Sequence, residues 1–268
     1  MRTSLGGKIS CGRSATSSDS VPGAGMAEFG YRVPKWPDSP QSLIDEQKRL
    51  ASARPELWQP PDSGWSAAGC FVCFARGIPG PGAAGDPGWA AAALLRTDGA
   101  TPVAVVRGKA GHPYVPGLLA LREGLLLEEA VRGLGERPDV LVVDATGRDH
   151  PRRAGLALHL GAVLDVPSVG ATHRPLLASG LIPPDEVGAA SPLLLNDELV
   201  GYWVRTRRGV RPLAVHAAWR TSPAVAVAVV LVLCKGSRAP EPLRLARRAA
   251  REARTRDGAG TQTERKRR

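Results

Sequence analysis

A run of four aliphatic residues from Val140 to Val143 constrains the fold of this chain more than any other segment. None of the four alternates with a polar residue, and this pattern is typical of a strand that is buried on both faces. The run ends at Asp144, and the loop Ala145-Thr146-Gly147 follows. Asp144 is therefore predicted to lie where a buried sheet meets solvent, which is the edge at which α/β proteins often bind ligands.

The loop beyond Asp144 carries three further polar candidates, His150, Arg152 and Arg153. The two arginines are candidates for phosphate contact, and the alternative is that they lie in solvent near the start of the next helix. His150 is either a nucleic-acid contact or a hydrogen-bonded loop histidine. The sequence leaves both interpretations open for each residue.

Upstream, two prolines enclose an aromatic residue in the segment Pro113-Tyr114-Val115-Pro116. Because each proline ring fixes its own φ angle, Tyr114 is predicted to lie at the tip of a rigid turn. A predicted helix from Leu118 to Leu134 follows and carries Glu123. The alternatives are a partly buried turn aromatic for Tyr114, an exposed helix acid for Glu123 and a helix-capping residue for Asp144.

Two long motifs carry a resemblance to a known family. They are Pro-Tyr-Val-Pro-Gly-Leu-Leu-Ala-Leu-Arg-Glu and Val-Asp-Ala-Thr-Gly-x2-His-Pro-Arg-Arg-x-Gly-Leu-Ala-x-His-Leu-Gly, in this order. Together they resemble endonuclease V, a metal-dependent nuclease that cuts near deoxyinosine. The resemblance extends from about Trp36 to about Arg254, and the segment Ser237 to Arg244 looks like the family's Arg-x-Pro-Glu-Pro-x-Arg segment before its last helix.

The resemblance implies roles for three residues. Glu123 and Asp144 would be catalytic metal ligands, and Tyr114 would wedge into nucleic acid beside the altered base. The implied metal is Mg²⁺, with Mn²⁺ as an alternative. A divalent cation held by carboxylates would neutralise charge on a phosphodiester and activate water.

Three polar positions that the family places around its metal are altered in this chain. Phe71 stands at the position of a first-strand aspartate, His173 at that of a lysine, and Trp219 at that of a late histidine. Phe71 and Trp219 are more simply core residues than stacking platforms. One explanation is loss of the nuclease chemistry, since Mg²⁺ needs a near-complete shell of oxygen ligands.

The other explanation is a rewired site. Cys70, Cys73, His173 and His216 are softer ligands that favour a transition metal, although the two thiols, three residues apart on a predicted strand, face opposite sides. Asp86 in a nearby turn is a candidate replacement carboxylate. Phe71 or Trp219 filling the cleft between Glu123 and Asp144 would favour a binding module, and Asp86 reaching that cleft would favour an enzyme.

The formal charge of +11 suits a phosphate-rich partner, because Lys and Arg release counterions from nucleic acid. Much of this excess lies from Arg244 onward, where we favour a solvated helix face and a disordered basic tail over a DNA clamp. We expect a flexible N-terminal extension over residues 1–35, an endonuclease V-like domain over 36–255 and a basic tail over 256–268. Met26 is a candidate start.

The expected function is a metal-dependent endonuclease that cleaves near deoxyinosine or inosine in DNA repair. The alternative is a noncatalytic nucleic-acid-binding module that has lost a complete metal site. DNA is the expected partner, with RNA as a further candidate. We expect a cytoplasmic monomer without membrane association, since no targeting segment is evident and the apolar run from Ala224 to Leu233 is too short to span a bilayer.

Three early strands followed by alternating helices and strands predict an α/β fold, a ribonuclease-H-like mixed sheet flanked by helices, which the resemblance also implies. The predicted helices are 42–53, 118–134, about 153–164 and those after 222. The predicted strands are 69–74, 89–95, 102–106, 140–143, 168–170, 199–206 and 212–216.

Overall fold

The computed structural model describes residues 36–265 except residue 79 and residues 97–100. The expected N-terminal extension, with Met26, lies outside the described residues, as do the last three residues of the expected tail. Within the described range the helices are α1 (Pro40–Ser52), α2 (Leu119–Arg132), α3 (Leu156–Leu164), α4 (Pro223–Cys234) and α5 (Glu241–Arg265). The strands are β1 (Ala67–Phe74), β2 (Pro87–Leu95), β3 (Val103–Lys109), β4 (Val140–Val143), β5 (Ser168–Thr172), β6 (Ala190–Leu195), β7 (Glu198–Val204) and β8 (Leu213–Ala217).

The eight strands form one mixed sheet in the order β3-β2-β1-β4-β5-β8-β7-β6. The central strands β1, β4 and β5 are parallel, and the other neighbouring pairs are antiparallel. This is the predicted α/β class. Parallel strands need coverage on both faces, and helices supply it here.

Strand β4 is buried on both faces, as its sequence predicts. Leu141 and Val143 join the core with α1, α2 and α3, whereas Val140 and Val142 pack with α4 and the start of α5. This alternation follows from the two-residue period of a strand. It divides the domain into three layers with the sheet in the middle.

Small side chains allow α5 to lie close to the sheet. Ala246, Ala250 and Ala253, at a spacing of four and three residues, share one helix face and pack against Ala91 and Ala93 of β2. At the start of α5 the approach is closer still. A Cβ atom at Gly69 of β1 would lie 2.2 Å from the backbone nitrogen of Leu243, so only glycine fits there.

Strand β6 is missing from the sequence expectations, which is a correction. It pairs with β7 through a two-residue turn, and both turn residues, Asn196 and Asp197, have positive φ angles of 50° and 61°. Such turns favour Asn and Asp, so the Asn-Asp pair was the available signal. Pro192 fits because β6 is the edge strand.

The late helices begin as expected, but α5 runs further than the domain boundary that we drew at residue 255. The Ser222 hydroxyl caps α4 by accepting a hydrogen bond from the Val225 N–H, and Pro223 occupies the first turn. Helix α5 continues without a break to Arg265. None of the helices in the described residues is both long enough and apolar enough to cross a membrane.

Candidate metal site and nucleic-acid interface

Asp144 and Phe71 lie side by side at the end of the two central parallel strands. The register pairs Cys70 with Val143, so the next residues along each strand are Phe71 and Asp144. By the alternation of both strands, these two side chains point toward the α5 layer. Phe71 packs there, which agrees with its interpretation as a core residue.

A side chain of α5 occupies the position beside Asp144. Nη2 of Arg247 donates to Oδ2 of Asp144 at 2.7 Å, and both side chains are mostly buried. The Arg247 guanidinium lies 5.3 Å from the centre of the Phe71 ring, and that of Arg251 lies 5.5 Å from it. Arg247 was expected on a solvated helix face, so this contact corrects that expectation. A guanidinium thus balances the charge of Asp144.

Glu123 reaches the same region from α2, on the other side of the sheet. Burial raises the pKa of Glu123 to about 8; the Arg122 charge opposes the rise and the Asp144 charge adds to it. Burial, with smaller contributions from Asp144 and Glu123, raises the pKa of the Cys70 thiol to about 12. Asp144 and Glu123 are therefore close enough to interact electrostatically, and at neutral pH the Glu123 carboxyl is mostly protonated.

These residues do not fit a divalent metal. Among the residues that the structure describes, no cluster of three or more His, Cys, Asp or Glu side chains is placed to hold a metal ion. Of the two carboxylates present, Asp144 is bound to Arg247, and burial of Glu123 disfavours its charged form by raising its pKa. Mg²⁺ requires octahedral oxygen ligation, usually with ionised carboxylates.

Asp86 does not supply the missing carboxylate. Its Oδ2 accepts from Nη2 of Arg122 at 2.8 Å and from the Ala83 N–H at 2.7 Å. The hydrogen bond from Arg122 is the main reason that the pKa of Asp86 lies below its usual value. Arg122 also donates to the carbonyls of Ala83 and His112 at 2.9 Å each, so this pair holds two loops against α2.

The softer ligands are equally separated. Cys70 belongs to the core beneath α1, α2 and α3 and Cys73 to the core beneath α5, as the strand period requires. His216 is buried, with Nε2 3.0 Å from the Thr172 hydroxyl. His173 instead accepts a hydrogen bond at Nδ1 from Arg238 at 2.9 Å. A rewired transition-metal site built from these four residues is therefore wrong for the described structure.

Trp219 lies at the opposite end of the sheet from Asp144. Its backbone N–H donates to the Ser168 hydroxyl at 3.1 Å, and its Cβ atom packs against Gly161 of α3. Ser168 pairs with Leu141, three residues before Asp144 and thus roughly 10 Å away along the strand. Trp219 is a core residue, as expected, and does not fill the cleft between the two carboxylates.

The turn that carries Tyr114 is firmly held and its aromatic ring is presented to solvent, with 44 % of the residue exposed. The turn ends at Gly117, whose φ of 77° favours glycine. The Gly117 carbonyl accepts hydrogen bonds from Nε2 of Gln47 at 3.1 Å, Nε2 of His150 at 3.2 Å and Nη2 of Arg152 at 2.7 Å. Three side chains therefore fix the base of the tip.

His150 and Arg152 thus have structural contacts. His150 is 4 % exposed, and its Nδ1 accepts from the Arg152 N–H at 3.2 Å. Burial, reinforced by the Arg152 charge, lowers the pKa of His150 to about 4, so the ring is neutral at pH 7. Arg153, at a φ of 57°, donates to the Leu195 carbonyl at 2.7 Å and lies 3.2 Å from Glu198. Nucleic-acid contact by these three residues stays a prediction.

Comparison with known proteins identifies the family of this chain. A family model described as endonuclease V matches residues 82–248, which is more than half of the chain. This chain belongs to the endonuclease V family.

Individual endonuclease V proteins agree with this assignment. The chain is 46% identical over 142 residues to endonuclease V of Methanopyrus kandleri, a match that covers 53% of this chain and 61% of that protein. The chain therefore spans less than two thirds of this relative. The crystal structure of endonuclease V from Streptomyces avermitilis is 32% identical with a TM-score of 0.73, covering 83% of this chain and 96% of that one.

A more distant endonuclease V, from Ciona intestinalis, has been solved with a 24-mer DNA containing an inosine. It is 19% identical with a TM-score of 0.67, over 81% of this chain and 98% of that one, and this likeness shows the fold alone. Endonuclease V structures have the ribonuclease-H-like fold, so the predicted fold is confirmed.

Sequence reasoning missed two residues near the family's site. The sequence did not single out Arg247, because it is one of many arginines in this segment. Its position on the inner edge of α5 distinguishes it from the other arginines of the helix. Asp149, in the same loop as His150, is fully buried and accepts three backbone hydrogen bonds at 2.6–2.9 Å from residues 176–178. Its carboxylate lies 3.8 Å from Nδ1 of His216, and burial nevertheless lowers the pKa of His216 to about 4.

Proposed function

We propose that this protein binds inosine-containing nucleic acid through the endonuclease V fold, and that it binds without the metal-dependent hydrolysis of the family. The observation that carries the proposal is the ion pair of Arg247 with Asp144 beside Phe71. Membership of the endonuclease V family supports inosine-containing nucleic acid as the substrate class. The Ciona relative has been solved in complex with inosine-containing DNA, which is the same class.

The charge balance of the site supports binding without cleavage. A metal ion lowers the barrier to phosphodiester hydrolysis by neutralising charge and activating water. Arg247 supplies charge neutralisation to Asp144 but has no means of lowering the pKa of a water molecule as a metal does. A nucleic acid would therefore meet a site that tolerates its phosphates and leaves them intact.

Tyr114 supports recognition of an altered base. The Tyr114 ring is exposed, and hydrogen bonds to the Gly117 carbonyl hold the turn that carries it in place. Aromatic side chains stack on bases, with a contribution of about 1–3 kcal/mol per base. A rigid tip loses little conformational entropy on binding, which favours insertion beside a weakly paired base.

Nuclease activity is the second candidate, and the endonuclease V relatives support it. In that case Glu123 and Asp144 would hold Mg²⁺ or Mn²⁺ after Arg247 moved away, and the protein would cleave near deoxyinosine or inosine in DNA repair. We keep DNA as the preferred partner, RNA as the alternative, and a cytoplasmic monomer as the expected form.

The deciding experiment measures binding and cleavage of the same labelled deoxyinosine duplex, with an undamaged duplex as control, in EDTA, Mg²⁺ or Mn²⁺. We expect the protein to bind the inosine duplex more tightly than the undamaged duplex, with an affinity that EDTA does not change. We expect no cleavage with either metal. Inosine-dependent cutting that needs metal and disappears in Asp144→Ala would instead establish the nuclease.

Variants of two exposed residues connect this binding to the tip. Tyr114→Ala is expected to remove most of the preference for inosine, whereas Leu181→Ala, at a residue that is 85 % exposed, is a matched control and should keep it. Equal binding of inosine and undamaged duplexes by the wild-type protein would contradict the proposed recognition.

A further inference from the structure

Five arginines of α5 line an open groove that begins beside the Asp144 site. They are Arg244, Arg247, Arg248, Arg251 and Arg256. Arg247 is the member nearest the strand ends, because it also binds Asp144. The other four side chains are exposed, and the inner face of the same helix is the alanine face that packs on β2.

The arginine spacing concentrates positive charge on one surface. Arg244, Arg248 and Arg251 follow each other at intervals of four and three residues, so they lie on one face of the helix. Like charges at this spacing repel and destabilise an isolated helix. Glu252, 3.9 Å from Arg248, and Asp144 offset two of the five charges, and the other three have no acidic partner in the groove among the described residues.

The shape and lining of the groove favour a polyanion over an enclosed small molecule. The described residues that line it all belong to α5, so it is an open surface groove and not the enclosed cleft typical of small-molecule sites. Within the described part of the chain, no aliphatic or aromatic side chain lines it; Glu252 and Thr255 accompany the arginines. Guanidinium groups bind phosphate oxygens bidentately and lose less hydration than ammonium groups.

We infer that this groove binds the phosphodiester backbone of a nucleic acid and leads it toward the Asp144–Arg247 end of the sheet. The inference rests on the proposed function for its partner, but it does not need inosine. We expect the groove to bind without distinguishing one base from another, because its side chains are suited to phosphate contacts, which position a strand but do not specify its sequence. Base recognition would remain with Tyr114.

The test removes three exposed arginines from the full-length protein. The groove variant is Arg244→Gln/Arg248→Gln/Arg251→Gln. The matched control is Lys48→Gln/Arg54→Gln/Arg132→Gln, which removes three exposed positive charges from α1, its C-terminal end and α2, in the opposite helical layer. Binding of inosine-containing and undamaged strands is measured by fluorescence anisotropy between about 50 and 200 mM salt, the range over which phosphate contacts change affinity most visibly.

We expect the groove variant to bind both strands on the order of tenfold more weakly at low salt, and the slope of log K against log salt to fall by about two to three. The control should change the slope by less than one. Equal effects of the two variants would overturn the groove. Wild-type protein that binds both strands equally, through the groove, would instead contradict only the proposed recognition of inosine.

Discussion

At the scale of single residues, the site is defined by which cation neutralises Asp144. Arg247 does so at 2.7 Å, and Phe71 stands where a further carboxylate would be needed. A partly buried ion pair of this kind is stable mainly while both partners are present, because burying either charge alone costs free energy. The identity of residues 71 and 247 therefore decides whether the site can hold a metal.

Restoring a carboxylate and removing the guanidinium should create a metal site. We expect Phe71→Asp/Arg247→Ala to bind Mn²⁺ at least about tenfold more tightly than the wild type, because a second carboxylate then lies beside Asp144 with no guanidinium to neutralise it. Electron paramagnetic resonance of free Mn²⁺ during titration measures this directly. Phe71→Asp/Arg247→Lys is the control, since the retained positive charge should prevent the gain. Wild-type binding as tight as that of the double variant would refute the explanation.

The sequence predicted the positions of several site residues but not their contacts. Asp144 follows a buried strand and Tyr114 lies between two prolines, so local patterns were sufficient to place them. The partner of Asp144 comes from α5, more than a hundred residues later, and no local pattern encodes that contact. His150 shows the same limit, because its acceptor, the Gly117 carbonyl, belongs to a different loop.

At the scale of elements, the packing of α5 on β1 depends on a single glycine. The Cβ atom that any other residue would carry at Gly69 would lie 2.2 Å from Leu243 N and 2.3 Å from Pro242 C, both backbone atoms. Backbone cannot move aside as the end of a flexible side chain can. The helix that carries Arg247 is therefore positioned by the absence of a methyl group on the strand.

A pair of glycine substitutions tests this contact. Gly69→Ala should lower the free energy of unfolding by at least about 2 kcal/mol, because the helix must shift. Gly258→Ala, within α5 and with open space around its Cβ position, should raise it by up to about 1 kcal/mol through helix propensity. Urea denaturation measures both. A neutral Gly69→Ala would mean that α5 can slide on β1.

Regular elements were predicted well where apolar periodicity is strong, as in β4 and α4. Strand β6 was missed because its burial is irregular and it contains a proline, and its only strong signal is the turn that follows. The extent of α5 was underestimated, since a run of arginines looked like a tail. Its alanine face is the feature that distinguishes a docked helix from a solvated one.

At the scale of the whole molecule, buried histidines set the response to acid. Burial lowers the pKa of His159 from 6.5 to about 4, and the same holds for His150 and His216. The unfolded chain therefore takes up these protons at a higher pH than the folded protein does. Stability is complete above about pH 6.5 and is lost as pH falls toward 4.

His159 offers the cleanest test, because neither ring nitrogen has a hydrogen-bond partner among the residues that the structure describes, and the ring stacks on Trp36 with centroids 4.6 Å apart. Replacing it by phenylalanine keeps the stacking and removes the titration. The free energy of unfolding of His159→Phe minus that of the wild type should be about 2 kcal/mol larger at pH 5 than at pH 8. Urea melts at the two pH values measure this. The same stability difference between variant and wild type at both pH values would contradict the proposed protonation of His159.

The overall architecture was predictable because three early strands followed by alternating helices and strands admit few arrangements. The division of the helices between the two faces was not predictable from periodicity alone. It depends on which helices carry faces small enough to fit the polyalanine strand β2, where Ala90 and Ala92 meet one layer and Ala91 and Ala93 the other.

The contact between Gly69 and the start of α5 also bears on how the chain is made. β1 is a central strand, yet the helix that covers one of its faces follows it only after all the other described strands. Until residues near Leu243 leave the ribosome, the apolar side chains on that face have no cover, and such surfaces invite aggregation. A nascent chain of this protein would therefore expose an aggregation-prone surface until α5 has been synthesised.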